Sequence, residues 1–576
     1  MLRHASLLVC AAGAGAAALV PVFLGDLADQ LQQPLVRIHD SVSGSPSDFQ
    51  CNLPPPIDPA GDGLPSADDL FSSEVALGKQ IERHQAIVRV PSVSFDDLGE
   101  PTQDPRWAPF YDLHKVLEVL YPSIHLRATL EKVNTLGLVY TIAGSDQTLK
   151  PVLLAAHQDV VPVADESTWT HPPFAAVYDG EYLWGRGASD DKNSLTALMS
   201  AVEALLDAGW APTRTLVMAF GFDEECSGYR GAGAIAQHLT QRYGDDGVAV
   251  ILDEGGLGLQ LLGDDTLYAL PAVVEKGHVD IWLDLSVVGG HSSIPFPHTS
   301  IGIAAEIIAA LEANPYDPEL LADSPVHRHL QCQARYSPQA QPEITRLVKA
   351  GDLDALAAEL AAADPMTQFM IQTSQAVDMI DGGQKINAMP EHVALGVNYR
   401  VAPQNTIPEV QHNVVRHIQD VVAKYGLELR AYDGDGEYEA YVAQTDPDAL
   451  LAKPPPLHAA WEVDYRGTLV LEAREKSPGT PVSPTTGPVW DVFSGTIQHT
   501  FAFEDGTVVP VGQIMTGNTD TRHYLGLSSH VYRWTPNAQG GSINIHTIDE
   551  RVLMSEHMDI VKFYYNFVRN FDKADI

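Results

Sequence analysis

At 576 residues the chain is longer than one hydrophobic core usually supports, so two domains are the starting expectation. Its hydrophobic content of 45% and charged content of 19% are those of an ordinary globular protein. A formal net charge of −40 argues against nucleic acid and anionic membrane surfaces as partners, because both are bound through Lys and Arg.

The first element is a targeting segment. Arg3 and His4 precede residues 5–24, which carry no charge, and Asp26 follows. A run of that length just spans a bilayer core of ~30 Å, and its Ala- and Gly-rich content also suits a cleaved signal peptide. Arg3 on the short side places an uncleaved N-terminus in the cytoplasm and the body across the membrane. Residues 1–25 are therefore expected to be a signal anchor or signal peptide, and 26–70, rich in Pro, Ser, Asp and Gly, a tether. Four cysteines are too few for a disulfide framework. Cys51 and Cys332 are the two that could join, which the sequence leaves open.

Helical patterns follow at about 77–90 and 107–120. The apolar run 152–156 reads as a buried strand delivering His157 and Asp159 at its end. Next come Gly185-Arg186-Gly187-Ala188-Ser189-Asp190-Asp191-Lys192 and a helix over about 193–208, with Leu195, Leu198, Met199, Val202, Leu205 and Leu206 at three- and four-residue steps. A second buried run, 216–222, delivers Asp223-Glu224-Glu225, and after a helix at about 231–242 a third, 248–252, ends at Asp253-Glu254. Strands alternating with helices imply an α/β sheet covered on both faces. From 278 the pattern changes: Val279, Ile281, Leu283 and Leu285 alternate with polar residues, a helix follows at about 301–312, and 393–401 and 468–472 read as strands. Residues 278–478 are thus expected to be an inserted α+β domain, with 316–378 a helical excursion inside it. The catalytic domain would comprise 71–277 and 479–576, the latter with helices at about 489–501 and 555–571.

Open α/β sheets place their sites at the carboxyl ends of strands, where His157, Asp190, Glu224, Glu225 and the Asp253-Glu254 pair are delivered. Alone, each has a bland explanation: a solvated turn, a charged loop, a helix cap with first-turn acids. Their joint occurrence, in order and each at the end of an apolar run, points to divalent cations. Two cations sharing a carboxylate lower the pKa of a water and polarise a scissile carbonyl. Asp190 in its Gly-rich turn is placed to be shared, with His157, Glu225, Asp253 or Glu254, and His546 as further ligands. Glu224 is the natural general base, and Asp159 a partner that orients His157.

These motifs resemble the co-catalytic zinc peptidase family that includes aminoacylases, bacterial glutamate-releasing carboxypeptidases and fungal carboxypeptidase S. The matching segments are His157-Gln158-Asp159-Val160-Val161-Pro162, the Gly185–Lys192 run, Asp223-Glu224-Glu225, Gly289-Gly290-His291-Ser292-Ser293 and His546-Thr547-Ile548-Asp549-Glu550. The hydrophobic N-terminus, the length and Leu252-Asp253-Glu254-Gly255-Gly256 are most similar to the carboxypeptidase S branch. The resemblance implies two Zn2+ per subunit held by His157, Asp190, Glu225, His546 and one of Asp253 and Glu254, with the leaning toward Asp253. It implies a lid and dimerisation role for the inserted domain, His291 as oxyanion donor assisted by Asn387, and Arg522 as the grip on a substrate α-carboxylate. Arg400 reads as structural.

The implied activity is hydrolysis of the C-terminal peptide bond of short peptides, Gly-X type; the alternative is N-acyl-amino-acid hydrolysis. An inactive scaffold would lack a ligand or Glu224, and neither is missing. The implied partners are the substrate, the membrane if the N-terminal helix stays uncleaved, and a second copy in a homodimer. The implied location is vacuolar or lumenal, anchored or released, or else secreted.

Overall fold

The strands Val152–His157 and Leu216–Gly221 are buried along their whole length, and burial on both faces requires helices above and below the sheet. The computed structural model describes residues 49–445 and 463–576. Its largest sheet has eight strands in the order 129–133, 137–142, 216–221, 152–157, 250–253, 531–533, 272–275 and 513–515. The four strands from 216–221 to 531–533 run parallel, so their carboxyl ends share one edge. Alternate residues part as a pleated strand demands. Leu154, Ala156, Met218, Phe220 and Leu252 face a core shared with the helices Lys192–Asp207 and Met554–Asp572. Leu153, Ala155, Val217, Ala219 and Ile251 face the helix Ala232–Tyr243.

A second core lies against a five-stranded sheet in the order 374–382, 392–401, 277–286, 468–477 and 428–431. Val279, Ile281, Leu283 and Leu285 face the helices Ser300–Glu312 and Ile407–Tyr425. His278, Asp280, Trp282, Asp284, Asn398 and Arg400 are the half-buried residues between them on these strands.

Several sequence expectations change. The excursion forms four helices, Pro325–Tyr336, Pro342–Ala350, Leu353–Ala363 and Pro365–Met370. Their apolar faces pack on Val274 and Ile514, in two strands of the eight-stranded sheet. Its last residues belong to an edge strand, Ser374–Gly382, whose exposed positions mix apolar Met379 and Ile380 with Asp378 and Asp381, so that no alternation shows. The 19-residue helix Ile407–Tyr425 has no counterpart in the sequence reading, although Thr406 and Glu409 form a capping box and Gly426 closes it in the left-handed region. The later part of the expected tether is packed against the body. Cys51 is joined to Cys332, Asp62 pairs with Arg569 at 2.6 Å, and Ala67 and Phe71 enter the main core. Residues 1–25, expected as anchor or signal, lie outside the described residues, among which no helix is long and apolar enough to cross a membrane.

Candidate metal centre

Five segments converge: the carboxyl ends of the parallel strands 152–157, 216–221 and 250–253, the turn 185–191 and the hairpin that carries His546. His157 Nε2 lies 3.0 Å from Asp190 Oδ1 and 3.4 Å from Glu254 Oε1. His546 Nε2 lies 3.0 Å from Asp190 Oδ2 and 3.1 Å from Glu225 Oε2. Asp190 therefore stands between two imidazoles with one oxygen toward each. Around a small cation held at ~2.0–2.1 Å, tetrahedral ligand atoms stand about 3.3 Å apart, close to the separations found here. Two triads, His157–Asp191–Glu254 and His157–Asp190–Glu225, have ligand atoms within 4.8 Å of one another.

The electrostatics also call for cations. Burial and the charge of Asp190 push both Glu225 and Glu254 up to about 7. Burial, then the charges of Glu254 and Glu225, hold Glu224 well above the usual carboxylate range. His546 is raised to about 10 by its hydrogen bonds to Asp190 and Glu225. Burial opposes a charged His157, but Glu254, Asp159 and Asp190 outweigh it and raise its pKa well above the ordinary value. Among the described residues the ion-pair partners of Asp190, Glu225 and Glu254 are these two imidazoles, with no Lys or Arg. Crowded carboxylates with so little counter-charge fit divalent cations.

Local structure explains the placement. Gly187, at φ +79°, lets the 185–191 turn pass so close to Val160 that a Cβ there would collide with its side chain. Asp159 is fully buried. Its Oδ1 accepts from Glu224 N at 3.1 Å and lies 3.3 Å from His157 Nδ1, while Oδ2 accepts from Glu225 N at 3.1 Å and Ser94 Oγ at 2.7 Å. One carboxylate thus sets both the imidazole and the Glu224-Glu225 backbone. Gln158 points away, donating to Leu136 O and Phe220 O.

Of the two acids that the sequence left open, with a leaning toward Asp253, Glu254 is the one that lies against His157. Strand alternation turns neighbours opposite ways, and it is Glu254 that reaches His157. Asp253 accepts from Glu254 N at 3.0 Å, and its other oxygen is buried without a hydrogen-bond partner. Asp191, passed over in the sequence, accepts from His157 N at 3.2 Å.

His291 and Asn387 are brought together, though no contact to the cluster is found for them among the described residues. Gly290–His291 pairs with Ala388–Met389, and Ser292 N donates to Asn387 O at 3.2 Å. The His291 ring is exposed, its Nδ1 accepting from Ser293 N at 3.1 Å. Arg522, in the short helix Thr521–Tyr524, keeps a buried Nε without a hydrogen-bond partner. Arg400, read from the sequence as structural, is half-buried on the strand 392–401. Burial lowers its pKa; Asp280 and Glu224 favour its charge, and Arg522 opposes it. Arg400 Nη1 donates to Asn518 Oδ1 at 2.9 Å. The signal lay in the strand alternation, which sets Arg400 opposite to buried Tyr399 and Val401.

Comparison with known proteins agrees with this geometry. The sequence model of Peptidase family M20/M25/M40 matches residues 153–570. Carboxypeptidase S of Saccharomyces cerevisiae is 38% identical over 529 residues, covering 88% of this chain and 86% of that protein. The N-fatty-acyl-amino acid synthase/hydrolase PM20D1 of Mus musculus is 28% identical over 511 residues, covering 87% and 89%. Human carnosine dipeptidase 1 shares the fold, with a TM-score of 0.60 at 14% identity over 88% of this chain and 100% of that one. A family model matched over most of the chain, and a relative well above 30% identity aligned over most of both lengths, establish that the chain belongs to Peptidase family M20/M25/M40.

Proposed function

We propose that this protein is a metallocarboxypeptidase that releases the C-terminal residue of short peptides, Gly-X type, at a centre for two zinc ions. The observation that carries the reading is Asp190, one oxygen toward His157 and the other toward His546. His157, Asp190 and Glu254 would hold one cation, and His546, Glu225 and Asp190 the other. When bound, the cations acidify a water and polarise the scissile carbonyl.

The remaining work belongs to side chains. Glu224 takes the proton of the attacking water and returns it to the leaving amine. Arg522 and Arg400 hold the free α-carboxylate of the substrate. Within residues 278–478, the five-stranded sheet and the helices packed on it act as a lid, carrying His291 and Asn387 to the developing oxyanion, while the excursion helices stay against the eight-stranded sheet. The exposed edge strand Ser374–Gly382 pairs with its copy in a homodimer. The N-terminal hydrophobic segment and the disulfide, a bond that persists in oxidising compartments, support a vacuolar or lumenal location.

The alternative, an N-acyl-amino-acid hydrolase, is favoured by the similarity to the mouse protein. An N-blocked Gly-Leu, its C-terminal amide and N-acyl-leucines of short and long chain separate the two. Chelator-sensitive leucine release from the free acid and not the amide is expected; cleavage of the acyl-leucines alone would replace the proposal by its alternative.

A further inference from the structure

The hairpin carrying His546 joins the strands Ser542–Ile543 and Arg551–Leu553. Three of its non-glycine residues, Asn544, His546 and Asp549, lie in the left-handed region at φ 60°, 61° and 65°. Backbone of that kind is held by its surroundings, not by its own preference. The His546 side chain itself is 49% exposed, so packing does little to fix it. Two neighbouring carboxylates do the holding. Asp549, on the surface, accepts from Thr170 N at 2.7 Å and Thr170 Oγ1 at 2.8 Å.

Glu550 is fully buried and reaches the other way, into the turn that carries Asp190. Its Oε2 accepts from Arg186 Nη1 at 2.6 Å and Gly187 N at 3.0 Å. Its Oε1 accepts from Ser189 N at 2.9 Å and Asp190 N at 3.1 Å. The Glu550 carbonyl accepts from Gly185 N at 2.9 Å. The strand leading into that turn, Tyr182–Trp184, pairs with Arg551–Leu553. An ion pair with Arg186 accounts for one of the four bonds to the carboxylate; the other three come from the backbone of the turn itself.

We infer that Glu550 is a positioning residue for the metal centre, clasping the Asp190 turn to the His546 hairpin so that the ligands of both cations are set by one carboxylate. This rests on the metal centre proposed above. A carboxamide cannot replace it, because its NH2 group would confront backbone N–H donors where the carboxylate accepts. Asp549, by contrast, restrains only the hairpin.

The test is zinc affinity of the full chain, read by competition with a chromophoric chelator, together with the visible spectrum of the cobalt-loaded protein. Glu550→Gln is expected to weaken both cations 10- to 100-fold, the range typical for outer partners of metal ligands, and to shift the cobalt bands. Asp549→Asn is expected to weaken one cation only. Wild-type affinity for both cations and an unchanged spectrum in Glu550→Gln would overturn the inference while leaving the metal centre intact. A wild-type chain that binds fewer than two cations would remove the centre and the inference together. Should Glu550→Gln fail to fold by circular dichroism, Glu550→Asp, which keeps the charge and shortens the reach, takes its place with the same two outcomes.

Discussion

Asp253 and Glu254 are adjacent and both acidic, yet one faces the imidazole and the other faces inward. Only the alternation at the end of the strand Val250–Asp253 distinguishes them. Glu254→Ala is therefore expected to lose one cation per chain, measured by metal analysis after dialysis. Asp253→Asn keeps both; the reverse pattern would reassign the ligand. Arg522 offers a planar fork that Lys cannot copy. Arg522→Lys should cost kcat/KM about 10- to 100-fold, the worth of one charge-assisted hydrogen bond. Free-acid and amide substrates compared in the variant check this, because the loss should be confined to the free acid. Of the candidate ligands, His157, Glu225 and Glu254 stood out in the sequence because each follows an apolar run, whereas Asp190 stood out by its Gly-rich turn and His546 by the resemblance of its motif. Arg400, Asp191 and Glu550 did not, because what they do depends on where a side chain points.

At the scale of elements, most of the legible strands and helices were those with one clear period. The strands at 152–157 and 216–221 were evident as continuous apolar runs, and Gly277–Ser286 as a clean alternation. The edge strand Ser374–Gly382 escaped because a strand paired on one side only need not alternate. Exposure leaves Met379 at 55% and Ile380 at 59% open to solvent. An apolar, unpaired edge is an invitation to pairing. Size-exclusion chromatography with light scattering should find a dimer for the full chain and a monomer for Ile380→Lys. A dimer indifferent to that charge would place the interface elsewhere. The excursion helices were foreseen as helices but not in their destination, since amphipathic faces do not name the surface they cover.

For the molecule as a whole, the disulfide Cys51–Cys332 ties a segment far back in sequence to the excursion helices across 281 residues. Cross-links of this kind typically contribute ~2–4 kcal/mol, and Cys332→Ser should lose about that much in urea unfolding. Buried histidines act in the opposite direction in acid. Burial pushes His329 and His84 down to about 4 from an ordinary 6.5. Below pH 6.5 the unfolded chain takes up protons that the folded chain refuses, so stability falls as pH drops toward 4. For His329 the loss reaches about 2 kcal/mol at pH 5. Unfolding free energies at pH 7 and pH 5 should differ less, by about that amount, in His329→Gln than in the wild type; an equal difference would show that the ring does not titrate in this way.

The most direct test of the central claim is made on Glu224→Gln in the full chain, measuring bound zinc and hydrolysis of N-blocked Gly-Leu on the same preparation. The account predicts two zinc ions per chain, as in the wild type, with turnover lowered about 10²- to 10⁴-fold, the usual contribution of a general base. Two bound ions with undiminished turnover would contradict the role given to Glu224, and a wild-type chain that cleaves the peptide without bound metal would contradict the metal centre itself.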